Sequence, residues 1–402
     1  MKLYYNTKLF NYYIFKPMRY SKLNPILRAS TSNLQDSATP SSINYAYNFG
    51  SMLGVLMTFM VISGILLAIH YIGTSVSAFG SVEHIMTDVR LGYFIRYLHA
   101  NTASLVFVTM YAHIIRNVYY SSYRQPRSGT YLVGQVIVLL IIGTAFLGYS
   151  LVYGQMSLWG ATVISNLATA IPYIGSDIAI LLWGAYSVSS PTVTKFYSLH
   201  YLLALVVLAL AVVHLLILHM HSSSSPIGTS GNYDRLAMQP LFLVKDAVTL
   251  LIVIIALFSL IAYAPNLLGH SDNFVEANNL VTPSSIVPEW YLLTYYAILR
   301  SVPNKLVGVV LMVLAIVWLS ALVLDVSLIR SNTFKPFNRL LLAIGLFAFI
   351  TLLSLGSKHI EYPYVLLGQI MTITYFGILL VMVPSSGLLE NHFISADSND
   401  DN

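Results

Sequence analysis

The sequence predicts an all-α integral membrane protein with eight transmembrane helices. Three observations carry that reading. Only 9% of the 402 residues are charged and 57% are hydrophobic, whereas soluble domains carry roughly 25% charged residues. Eight segments are long and apolar enough to approach the ~20 residues that a helix needs to cross a bilayer. Lys and Arg are abundant in alternate connections only, as they are when a chain weaves through a membrane. The mean hydropathy of +0.73 agrees.

Each element follows from its own residues. Residues 1–42 form a polar, basic tail with Lys2, Lys8, Lys16, Arg19, Lys22 and Arg28. No apolar core with a small-residue cleavage site follows it. Span A covers 52–72. Span B, 92–120, is interrupted by Arg96, His99, Asn101 and His113, and polar groups at membrane depth point to function. Spans C (131–153) and D (198–220) follow. The Ser- and Gly-rich stretch 222–232 is the strongest internal boundary. It separates a first four-span unit, 43–232, from a second, 233–390. The second holds spans E (247–265), F (306–324), G (340–356) and H (363–384). A long polar E–F connection, 264–304, suggests function by its length. Residues 391–402, with Asp397, Asp400 and Asp401, read as an acidic, unstructured tail. No repeat of 20–50 residues is evident.

Charge then orients the chain. With eight spans, fourteen of the 20 Lys and Arg fall on the side of the termini. They are the tail residues together with Arg116, Arg124, Arg127, Arg235, Lys245, Arg330, Lys335 and Arg339. The other side has Arg90, Arg96, Lys195, Arg300, Lys305 and Lys358. Both termini are therefore expected on the electrically negative side. The formal net charge of +5 is too small and too scattered for a nucleic-acid partner. The absence of cysteine removes disulfides, iron–sulfur ligation, zinc–thiolate sites and thioether haem attachment.

Histidine spacing supplies the chemistry. His99 and His113 lie fourteen residues apart on span B, as do His200 and His214 on span D. Fourteen helical residues rise about 21 Å and return to within roughly 40° of the starting direction. Spans B and D run the same way, so His99 matches His200 in depth and His113 matches His214. Facing imidazoles ligate an iron from both sides, and a flat ring between packed helices is a bundle-core arrangement. Two axial ligands close the iron to dioxygen, which leaves electron transfer. The expectation is a four-helix bundle of spans A–D around two stacked haems. Packing or hydrogen-bonding roles, common for one intramembrane histidine, do not account for two pairs of equal spacing. Gly50 and Gly64 on span A, and Gly134 and Gly148 on span C, repeat the fourteen-residue interval. They are expected to make room where a porphyrin edge meets a helix; Gly50 and Gly54 also fit an ordinary helix-packing motif. Arg96 and Arg116, each three residues from a histidine, suit haem propionates or snorkel to the interface. His70, His84, His221, His270, His359 and His392 fall at span ends or in loops and read as interfacial.

At these residues, and from about Pro40 to Glu390, the sequence resembles the cytochrome b family of quinol–cytochrome c oxidoreductases, the bc1 complexes. The matching stretches are SVEHIMTDV (81–89), RYLHANTAS (96–104), YRQPR (123–127), GQMSLWGATVISN (154–166), PEWYLL (288–293) and YPYVLLGQ (362–369). Both four-span units in one chain, without cysteine, separate it from the split photosynthetic relative. The resemblance implies two non-covalent haems b and ubiquinol and ubiquinone as substrates. Quinol is oxidised on the positive side. One electron goes to a Rieske iron–sulfur protein and cytochrome c1. The other passes through the haem at His99/His200 to the haem at His113/His214 and reduces quinone on the negative side, coupled to proton translocation. It further implies a homodimeric complex in the mitochondrial inner membrane, with the termini on the matrix side.

Two quinone pockets follow. On the positive side Pro288 is expected to open a short helix, and Glu289 to accept a proton from quinol, its pKa raised in an apolar pocket. A plain helix-start carboxylate is the alternative for Glu289. The resemblance adds Phe146, Tyr149, Met156, Gly160, Tyr291 and Tyr296 as walls, with a bulkier residue than Gly160 obstructing quinol. On the negative side His219 and Asp246 suit the two carbonyls of a quinone, beside Lys245; Asn44, Ser51 and Met238 complete that pocket. Thr102, Ala46, Tyr47 and Gln239 depart from the family, where Gly, Trp, Trp and often His stand. A di-haem quinone oxidoreductase with other redox partners, and an ion transporter relaying charge through intramembrane His and Arg, are the competing classes.

Overall fold

The computed structural model describes residues 24–400, with all eight expected spans as helices. The first 23 residues, with most of the basic tail, lie outside the described residues. In chain order the helices are α1 (Pro25–Ser30), α2 (Phe49–Ala68), α3 (Ala78–Thr87), α4 (Gly92–Tyr119), α5 (Ser128–Ser150), α6 (Gln155–Ser165), α7 (Gly175–Trp183) and α8 (Ser190–His221). After these come α9 (Leu241–Tyr263), α10 (Leu293–Ser301), α11 (Lys305–Val317), α12 (Pro336–Gly356), α13 (Tyr364–Phe376) and α14 (Val383–Asp400). Spans A to G are α2, α4, α5, α8, α9, α11 and α12, and span H is α13 with α14.

Several helices start further out than apolarity alone suggests, and capping chemistry sets two of those starts. α8 begins eight residues before its apolar run. There the Ser189 side chain and Thr192 form a reciprocal capping box, with Pro191 in the first turn. The Asn304 side chain accepts from the Val307 amide and opens α11. Span H continues through a π-helical stretch, Gly377–Met382, directly before Pro384. A wider turn there accommodates a residue without an N–H.

Within the polar tail, α1 is capped by the Asn24 side chain, and a strand, β1 (Ala38–Pro40), pairs antiparallel with β2 (Arg235–Ala237). Backbone pairing thus ties the tail to the chain just after the 222–232 boundary. The acidic C-terminus, read as unstructured, continues α14 to Asp400, because the preceding helix already bears the cost of nucleation. The short helix near Pro288 starts later, with Glu289 as the N-cap of a 3-10 turn, Trp290–Leu292, that runs into α10.

Packing divides the first four spans into two pairs, α2 on α4 and α5 on α8. α4 is the most buried span. Its inner face carries Val106, Phe107 and Met110, which meet Leu56 of α2, Val138 and Ile141 of α5 and Leu257 of α9. The other spans show wide apolar faces, as the lipid-exposed side of a membrane helix does.

Candidate functional site

Two imidazole pairs face one another between the helix pairs. The ring centroids of His99 and His200 are 6.2 Å apart, and those of His113 and His214 are 6.4 Å apart. A metal held by one nitrogen from each ring at about 2 Å sets ring centres at about 6 Å. Among the described residues no three His, Cys, Asp or Glu side chains gather around a common point. Two opposed nitrogens alone are the donor set of a metal whose remaining positions are filled by a planar ring.

Local hydrogen bonds set the tautomers on the first pair. His200 Nδ1 lies 2.8 Å from the Thr144 carbonyl oxygen. That oxygen only accepts, so Nδ1 carries the proton and Nε2 keeps its lone pair. His99 Nδ1 lies 3.0 Å from Ser63 Oγ. Ser63 already donates its hydroxyl proton to the Phe59 carbonyl, so His99 Nδ1 donates and its Nε2 is again free. The second pair differs. His113 Nδ1 is 3.2 Å from the Arg116 guanidinium, and His214 Nδ1 faces the Thr130 backbone without a hydrogen bond. Arg116 also stacks on Tyr47, 4.6 Å from the ring centre, and its buried Nε has no partner. An unpaired guanidinium edge beside His113 suits an anionic ring substituent.

Each of the four glycines lies against one of the four histidines. A Cβ on Gly64 would stand 3.2 Å from the His99 ring, on Gly50 3.7 Å from His113, on Gly134 3.2 Å from His214 and on Gly148 2.5 Å from His200. The nearest protein group to each glycine is an imidazole. Each glycine lets a histidine ring lie against the partner helix of its own pair.

A largely apolar cavity adjoins the His99/His200 end. Phe146, Tyr149, Gly160, Pro288, Glu289, Tyr291 and Tyr296 line it, as do Val163, Ile164, Ile286, Val287 and Leu292, which sequence reasoning missed. Met156 does not line it; the side chain is wholly buried in α6. A Cβ at Gly160 would meet no protein atom within 4 Å. The Glu289 carboxyl is pushed up to about 7 by burial, which outweighs the Tyr149 hydroxyl and the Arg96 guanidinium beside it. Arg96 therefore faces the cavity carboxyl. The Glu289 segment is anchored on α4. Tyr291 stacks on Phe107 with ring centres 3.8 Å apart, its carbonyl accepts from Tyr111 at 2.6 Å, and Trp290 Nε1 donates to Ser104 at 3.2 Å.

The residues expected in the second pocket lie at the opposite end, each with a partner of its own. His219 Nδ1 is 3.4 Å from Ser37 Oγ, Lys245 donates to the Ile43 carbonyl at 2.9 Å, and Ser51 lies beside Asp246. Asn44 donates to the Tyr120 hydroxyl at 2.9 Å, and Met238 Sδ receives the Thr39 hydroxyl at 3.9 Å. Ser37 and Ile43 were missed, because the first lies in the tail and the second acts through its backbone. Of the departures, Tyr47 reaches Ser224 at 3.2 Å and Gln239 is exposed. The Ala46 amide donates to Asn44, and Thr102 is wholly buried with an unpaired hydroxyl.

Comparison with known proteins agrees across the chain. The family described as cytochrome b/b6/petB matches residues 34–222, and the one described as cytochrome b(C-terminal)/b6/petD matches residues 276–376. Cytochrome b of Mycosarcoma maydis is 50% identical over 375 residues, spanning 93% of this chain and 95% of the relative. Cytochrome b of Saccharomyces cerevisiae is 49% identical, spanning 93% and 97%. A chain of a hyperthermophilic respiratory complex III superposes with a TM-score of 0.87 at 26% identity, covering 92% of this chain and 98% of that one.

Proposed function

Because this chain belongs to the cytochrome b family, we propose that it is the di-haem transmembrane subunit of a respiratory complex III. In this role it oxidises quinol at the Glu289 cavity on the positive side and reduces quinone at His219 and Asp246 on the negative side. One electron leaves to a Rieske iron–sulfur protein and cytochrome c1 and the other crosses the membrane, with proton translocation as the coupled result. Two non-covalent haems b, when bound, supply the one-electron relay for that crossing. The fungal relatives support a mitochondrial inner-membrane location, and the complex is expected to be a homodimer.

The chain's own residues do the following. His99 with His200, and His113 with His214, would hold the two irons. The Thr144 carbonyl and Ser63 hydroxyl keep the Nε2 atoms of the first pair free to ligate. Arg116, beside His113, would hold an anionic substituent of such a ring with its unpaired guanidinium edge. Apolar walls exclude water from the quinol cavity, and Glu289 takes a proton from the quinol hydroxyl. Lys245, Asp246 and His219 orient and protonate the quinone at the other end.

The matched imidazole pairs carry this reading. Its test is the reduced-minus-oxidised absorption spectrum of the complex with each histidine replaced in turn. His200→Leu and His214→Leu are each expected to abolish the b-type band of one site and to stop quinol–cytochrome c turnover. Full retention of both bands in either variant overturns the assignment, and the absence of any b band in the unaltered protein leaves the transporter reading.

A further inference from the structure

We propose that Arg300 is a positioning residue of the quinol cavity, acting through Tyr296; the proposal rests on the reading of that cavity given above. Arg300 follows Tyr296 by four residues on α10, so the two share a helix face. Its guanidinium carbon lies 4.6 Å from the centre of the Tyr296 ring. Tyr296 lines the cavity, and its hydroxyl donates to the carbonyl of another lining residue, Ile286, at 3.1 Å. The ring is thus held at its tip by Ile286 and on its face by a cation.

The cation is itself held. Arg300 Nη1 donates to the Lys358 carbonyl at 3.0 Å and Nη2 to the Leu355 carbonyl at 2.9 Å. The Leu355 oxygen lies in the last turn of α12 and the Lys358 oxygen just beyond it, where partial negative charge collects. Two bonds to a planar fork fix its orientation as well as its position, which a lysine cannot reproduce. Arg300, with Ser301, His359 and Tyr364, also borders a second, smaller cavity. Shortening Arg300 removes the group that packs on the face of the Tyr296 ring. Arg300 braces the wall of the quinol cavity against the end of α12 without touching the substrate.

The test is steady-state oxidation of a short-chain ubiquinol by the intact complex in membranes. Arg300→Met is expected to raise the quinol KM about tenfold, the factor one partly desolvated cation–π contact is worth, with kcat changed less than the KM. Arg300→Lys, which keeps a charge but loses the fork, falls between Met and wild type. In a Tyr296→Leu background Arg300→Met adds nothing, because the two act as one unit. An unchanged KM in Arg300→Met, or an equal rise with and without Tyr296, overturns the positioning role alone. If Arg300→Met does not assemble, a wild-type KM in Arg300→Lys overturns it. An unchanged KM in Tyr296→Leu by itself overturns the reading of the cavity, and the positioning role with it.

Discussion

Two carboxylates illustrate how residue-level surroundings decide chemistry. Burial raises both. At Asp325 the Ser327 amide, the Arg124 guanidinium and the Tyr123 hydroxyl more than offset it, and the carboxyl ends below its ordinary value. Arg124 binds it in a buried ion pair and also donates to the Ser327 and Ile329 carbonyls. At Glu289 burial wins, and the carboxyl titrates at about 7. A raised carboxyl is held neutral below that pH and becomes a proton acceptor above it. Quinol oxidation is therefore expected to climb as pH rises through 7 and to level off above it. Glu289→Gln should remove that limb and lower turnover on the order of tenfold or more. A pH–rate profile of the variant that keeps the wild-type rise would show that another group accepts the proton.

At the scale of elements, the glycine–histidine contacts make the helix pairs unequal. A Cβ at Gly148 falls 2.5 Å from the His200 ring, whereas at Gly50 it stands at ordinary contact distance from His113. Gly148→Ala must push the ring or the helix aside, and overpacking of this kind costs about 1–3 kcal/mol. We expect Gly148→Ala to weaken or displace only the b-type band assigned to His99/His200, and Gly50→Ala to leave both bands unchanged. Spectra of the two variants during thermal loss of absorbance check this. Equal behaviour would mean that the contacts relax freely.

The whole molecule is organised by the membrane. Lys and Arg gather on the side of the termini. On that side the tail strand pairs with Arg235–Ala237, and a buried Lys335 bonds Glu390 at 2.8 Å, joining the start of α12 to α14. The Glu289 cavity lies at the other end, next to the connection before α10. Because the chain lacks cysteine, single substitutions report sidedness cleanly. Ser271→Cys and Ser230→Cys lie in exposed loops. In mitoplasts a membrane-impermeant maleimide is expected to label the first at once and the second only after lysis. Labelling of both from one side would refute the weave and the orientation drawn from it.

Much of this was legible in the chain before folding, for physical reasons. A bilayer demands long apolar helices, so the eight spans are written as composition; their ends are not, since Ser189 and Asn304 set them by capping. Helical periodicity alone brings His99 and His113 to one face at two depths, and likewise His200 and His214. Folding decided which histidine each glycine faces: the spacing showed that something lies close, but not which ring of the protein packs there. The roles of Ser63, Thr144 and Arg300 also come from folding. Each acts through contacts with elements distant in sequence, and a hydroxyl or guanidinium has no meaning for a site until packing chooses its partner.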